Sequence, residues 1–274
     1  MRRVATRRLF RCGRVVIQDG CRANATLPHA GLAIGALLAG AAIDMTSHAL
    51  HPFFQGLALV SILFAAGVWA WPETSPRHEG LWSSLRPRVR IPATARPAFW
   101  RVAPALFATW ATGGSYLSLG VSIHVFGLTH GLEQGAVVTA LAGTGALACF
   151  FARHASASAT LRFGTLALAA GTALTLLAIQ LGSIWAYLFA LPLAGAGFGT
   201  CFYGAVRSLA PLAGPHERGE LFAAIFTVSY LAFGGPVVVA GALVTSLGLA
   251  ATTIGYGFVI ICMALAAFLG KARG

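Results

Sequence analysis

The amino-acid sequence predicts an all-α polytopic membrane protein with eight transmembrane helices, and three observations carry that expectation. Hydrophobic residues make up 57% of the chain and charged residues only 9%, whereas a soluble domain carries about 25% charged residues. Eight segments are mainly apolar over the roughly 20 residues that a helix needs to cross about 30 Å of hydrocarbon. All 19 Lys and Arg fall between those segments, and always in every second gap.

The segments are read at Ala23–Asp44, Phe53–Trp71, Val102–Phe126, Gly135–Ala152, Phe163–Leu181, Ile184–Val206, Leu221–Thr245 and Leu249–Leu269. Strands are a poor alternative, because these runs are long, continuous and rich in Ala and Leu rather than short and alternating. The first carries His29 beside Pro28 and ends on Asp44. Before it, residues 1–22 form a basic leader with seven arginines and no apolar core of a secretory signal. The second is followed by a Pro-rich, Arg-rich linker over 72–101, read as a solvated cytoplasmic stretch touching anionic lipid. The remaining six segments, 102–270, form one helical bundle, and 271–274 is a short tail. Lys and Arg mark the cytoplasmic side, so both termini and the linker are expected inside and the basic-free gaps outside. The five cysteines show no metal-ligand or C-x-x-C spacing, and Cys149, Cys201 and Cys262 fall in apolar runs as packing residues. The net charge of +12 does not point to nucleic acid, since the basic residues sit between membrane segments rather than on a soluble face.

Three local patterns resemble the major facilitator superfamily of transporters, multidrug-efflux-like members in particular. Gly31 to Gly40 looks like a degenerate form of the glycine-proline signature of the family's fifth helix, with Ala36 in place of proline. Pro72-Glu73-Thr74 is similar to the entry into the family's central loop, and Arg218-Gly219-Glu220-Leu221 followed by Gly234-Gly235-Pro236 and Gly241 looks like its tenth-to-eleventh helix region. The resemblance covers 22–270 and implies helices five to twelve, with the first four missing: two helices of the first bundle and the whole second bundle. The loop from Arg153 to Arg162 keeps the basic residues of the family's gating motif but lacks its acidic partner.

The resemblance implies a central cavity lined by the third, fourth, sixth and seventh segments, with the fifth and eighth facing lipid. Polar residues on the former are the candidate lining: Trp110, Ser115, Tyr116, Ser118, Thr144, Thr200, Tyr203, Thr227 and Tyr230. Ser115, Ser118 and Ser122 share one helix face. Polar groups in a span face a cavity or a neighbouring helix, although Ser and Thr also satisfy themselves on their own carbonyls. His29 and Asp44 are the candidates for proton coupling, and Gly35, Gly40, Gly199, Gly235 and Pro236 those for close packing or bending.

The expected function is secondary active transport of a small organic solute by alternating access between helix bundles, in a cell inner (plasma) membrane and without a cofactor or metal. Alternative expectations are a non-transporting fragment or membrane-embedded partner subunit, acting as a homodimer or with a complementing piece, and an integral-membrane transferase. The partners implied are the lipid bilayer, a small-molecule solute and a coupling proton, with no nucleic acid.

Overall fold

The computed structural model describes residues 27–45, 50–72, 89–118, 125–214 and 216–272. Within them every regular element is a helix: α1 Leu27–Met45, α2 Leu50–Trp69, α3 Arg96–Ser118, α4 Gly131–Phe151, α5 Ala157–Gln180, α6 Ile184–Leu209 and α7 Arg218–Ala272. Six of these are long and apolar enough to cross a membrane, so the chain is a membrane-embedded helical protein. The basic leader, most of the linker, Ser122 and His124 lie outside the described residues.

Two differences from the eight expected segments have physical causes. Helix α7 takes in both the seventh and the eighth, and its 55 residues would reach about 80 Å if straight. It breaks at Gly248, whose φ of 80° and ψ of 162° are non-helical and favour glycine. Pro236 and Ile260 line one cavity, though a straight helix would hold them about 36 Å apart; the limbs 218–247 and 249–272 therefore fold back on each other. Helix α3 is outside the six because Arg96 and Arg101 open it and Thr109, Trp110, Thr112, Ser115 and Tyr116 dilute its apolar character. It also starts inside the stretch read as linker. Pro97 sits in its first turn, where a missing N–H costs nothing. Ahead of it Ala95 is fully buried and Thr94 donates to the Leu212 carbonyl at 3.0 Å.

Helix α6 is the hub, and glycine explains how its neighbours come so close. A Cβ at Gly195 or Gly199 would strike the α4 backbone at Leu141 or Gly145, and one at Gly197 or Gly204 the α5 backbone at Leu168 or Leu161. Gly164 and Gly171 of α5 press in turn on Cys201 and Ala194. Lipid offers no hydrophobic gain for bringing helices together, so van der Waals contact between small-residue faces is what holds them. The α5–α6 turn is correspondingly tight. Gly182 takes a φ of 61° while Ser183 N–H reaches back to Ala178 O at 3.0 Å and Ser183 Oγ caps α6 at Ala186 N.

Helix α1 docks antiparallel on α4. Thr139 donates to Ala33 O at 2.7 Å, Gly135 presses on Ala36 and Leu37, and Gly131 on Gly40 and Ile43. Helix α2 differs from all the others: no residue of its apolar stretch is buried.

The cationic residues of the bundle gather at one end. The guanidinium of Arg153 lies 4.0 Å over the Phe150 ring, that of Arg162 5.4 Å over Phe268, and that of Arg207 5.0 Å over Tyr203. Aromatic rings thus stand where the loop between α4 and α5 has no acidic partner to offer.

Candidate functional site

The functional surface is built from aromatic rings at helical spacing. On α6, Phe198 and Phe202 are one turn apart; on the first limb of α7, Phe226, Tyr230 and Phe233 recur at intervals of four and three. Trp110 of α3 stands between them, 5.5 Å from the Phe202 ring, 6.0 Å from Tyr230 and 6.2 Å from Phe233. The chain of contacts continues from Phe202 to Phe226 and on to Tyr230, and at its far side His29 of α1 meets Phe198 edge-on at 4.6 Å. His29 is buried, Trp110 half-buried, and Tyr230 is 65% exposed. The surface therefore grades from a closed end at α1 to an open one at α7.

Its polar groups are few and neutral. The indole N–H of Trp110 has no hydrogen-bond partner among the described residues, Thr227 is exposed but returns its hydroxyl to Ala223 O at 2.8 Å, and no carboxylate joins the rings. Such a surface can stack on a flat or apolar molecule and donate one or two hydrogen bonds to it. It has nothing to neutralise a strong charge.

The other sequence candidates fall elsewhere. On a helix of about 100° per residue, Ser115 and Tyr116 point about 120–140° away from Trp110; they line a separate small pocket between α3, α5, α6 and the second limb of α7. Ser118 is exposed at the end of α3. Thr144 and Thr200 bond to their own helix at Ala140 O and Ala196 O, and Thr144 also meets Gly195. Tyr203 is fully buried in the core. Gly40 and Gly199 press on neighbouring backbones, whereas Gly35 and Gly235 face open space and so are not packing contacts of this structure. The helix runs through Pro236 with helical dihedrals; the break lies at Gly248 instead.

Asp44 takes a structural position. The first N–H groups of a helix have no partner within it, and at α4 two carboxylates supply the lack. Asp44 accepts from Gly131 N and Leu132 N, both at 2.7 Å, and Glu133 accepts from His130 N at 3.3 Å. A carboxylate there also meets the positive end of the helix dipole. Asp44 thus fastens the end of α1 to the start of α4, far along α1 from His29.

Sequence reasoning missed Phe198, Phe202, Phe226 and Phe233, all of which read as ordinary apolar residues of a span. It also passed over Thr172, Thr175, Thr253 and Tyr256, taken as scattered on lipid-facing segments; all four line the small pocket with Ser115 and Tyr116.

The fold and the site define a membrane-embedded helical bundle with an aromatic, uncharged face. No known protein family, curated protein or solved structure matches the chain.

Proposed function

We propose that this bundle forms one wall of a pathway for secondary transport of a small, uncharged, flat or amphipathic organic solute, with the aromatic face as the surface the solute touches. The single observation that carries the reading is the open ring set itself. Trp110 presents an indole N–H with no partner among the described residues, beside a tyrosine that is 65% exposed. Aromatic residues turned only toward lipid would have no use for a donor buried among them, because an unsatisfied polar group in hydrocarbon is costly. A solute that accepts from Trp110 and stacks on Tyr230 relieves that cost. The resemblance to major facilitator transporters supports the same reading, as does the absence of fixed charge on the face. In this reading the chain crosses a cell inner membrane eight times, with the basic end of the bundle and both termini in the cytoplasm. His29, at the closed end of the face, is the side chain placed to couple a proton.

Binding of a neutral naphthylamine dye to the purified chain in lipid nanodiscs tests the surface. Trp110→Ala and Tyr230→Ala are each expected to weaken binding about tenfold, corresponding to about 1.4 kcal/mol, while a sulfonated analogue does not bind. Unchanged dye affinity in both variants would remove the aromatic face from the pathway.

The exposure of α2 favours a second reading, in which the chain works as one part of a larger assembly. A helix apolar on all sides with nothing buried against it is either solvated by lipid or covered by further helices. Cysteine cross-linking from Phe64→Cys in membranes separates the two: discrete cross-linked protein species support assembly, and lipid-only environment signals from a label there oppose it.

A further inference from the structure

We infer that the small pocket between α3, α5, α6 and the second limb of α7 is a binding site for one neutral hydroxyl group, that of a water molecule or of a short alcohol. The inference is independent of the transport reading, since the pocket opens from the side of α3 turned away from Trp110.

The case rests on where the pocket's hydroxyls send their hydrogens. In a membrane helix a threonine or serine ordinarily donates to a carbonyl three or four residues back. Thr112 does so to Ala108 O at 2.8 Å, Ser115 to Thr112 O at 2.8 Å, Thr175 to Gly171 O at 2.9 Å and Thr253 to Leu249 O at 2.8 Å. Of the pocket's threonines and serine, Thr172 alone has no partner among the described residues, although its side chain is only 7% exposed. A buried hydroxyl left unpaired costs about 1–3 kcal/mol, and the neighbouring carbonyl on its own helix would have removed that cost. Its partner is therefore to be sought in the pocket.

The same accounting fixes the chemistry of the guest. Because Thr175 gives its hydrogen to Gly171, the 3.1 Å contact between Tyr116 Oη and Thr175 Oγ1 must use the tyrosine's hydrogen. Tyr256 gives its own to Ala111 O at 2.9 Å. Both phenol oxygens are left as acceptors only, whereas Thr172 can both donate and accept. A guest satisfying this set must itself donate, which a hydroxyl does and an ether or ketone does not. No charged side chain lines the pocket, so the guest is neutral. The volume of about 50 Å³ compares with about 30 Å³ for one molecule of liquid water. Polar cavities of this size hold water, whereas apolar ones stay dry.

Thermal melting of the full chain in nanodiscs tests the assignment with water and with ethanol as probes. If Thr172 bonds a guest, Thr172→Val loses that bond and melts about 2–4 °C below wild type, while Thr172→Ser, which keeps the hydroxyl, stays close to wild type. Ethanol raising the melting of wild type but not of Thr172→Val identifies an alcohol as an acceptable guest. The same Val deficit with no ethanol response assigns the site to water. An equal or higher melting temperature for Thr172→Val, as relief of an unpaired hydroxyl would give, overturns the inference. So would failure of both Val and Ser variants to fold, since packing of the threonine methyl would then be what matters.

Discussion

Replacing Gly199 by alanine places a methyl group where the backbone of α4 already stands. The new Cβ would lie 2.7 Å from Gly145 Cα and nearer still to the Gly145 carbonyl, against 3.4–4 Å for ordinary contact. A carbonyl in mid-helix cannot swing aside, so α4 and α6 must part by roughly 0.7–1 Å. A gap of that size forfeits about a quarter to a half of each dispersion contact, each of about 0.1–0.2 kcal/mol. Spread over roughly forty atom pairs, the number one buried side chain makes, the loss is about 1–3 kcal/mol, which is also the usual cost of overpacking. With about 2–4 °C per kcal/mol, Gly199→Ala is expected to melt about 2–12 °C below wild type in nanodiscs. Gly235→Ala is the control: nothing stands within 4 Å of its Cβ and alanine is the better helix former by about 0.8–1 kcal/mol, so melting stays level or rises. Equal melting of Gly199→Ala and wild type, or an equal fall in both variants, would refute glycine-mediated contact as the force that seats α6.

Three further outcomes are expected. Asp44→Ala should loosen α1 from α4 and speed amide exchange at Gly131 and Leu132, with Asp44→Asn intermediate because it keeps one accepting oxygen; identical exchange in all three proteins would deny the cap. In a background without native cysteines, Cys at Thr129 or Leu247 should react with an impermeant maleimide from outside and Cys at Ser83 or Gly214 only from inside, and one reversed site breaks the eight-crossing topology. Gly248→Ala must force a φ that alanine avoids, so folded yield should drop more than for Gly241→Ala, where nothing lies within 4 Å of the added methyl; equal yields would mean that the fold-back of α7 does not depend on that glycine.

The existence of the helices was readable because apolar length is a property of a single segment. The turn at Gly182-Ser183 was readable for the same reason, as a short gap between two runs. What a lone sequence withholds is rotation and register. Ser115, Tyr116 and Trp110 are neighbours in the chain and were assigned one cavity, yet about 120–140° of helix rotation puts them on different faces of α3. Gly35 and Gly40 both look like packing positions, and only the registration of α1 against α4 sends Gly40 to Gly131 and leaves Gly35 in the open. Thr172 and Tyr256, more than eighty residues apart, share a pocket only because the limbs of α7 fold back.

Helix α3 links the two sites, and its composition follows from that position. One side carries Trp110 to the aromatic face; another carries Thr112, Ser115 and Tyr116 to the hydroxyl pocket. At Gly114, between them, the backbone lies against Phe233 of α7, too close for any side chain. A helix serving polar needs on two sides and close packing on a third has little surface left for aliphatic residues, which is why it alone among α3 to α7 is not apolar enough to register as a span. The low hydropathy of α3 is thus itself a mark of function: in a bundle where the other helices can satisfy lipid and packing alone, the least apolar one is where solute and buried hydroxyls meet.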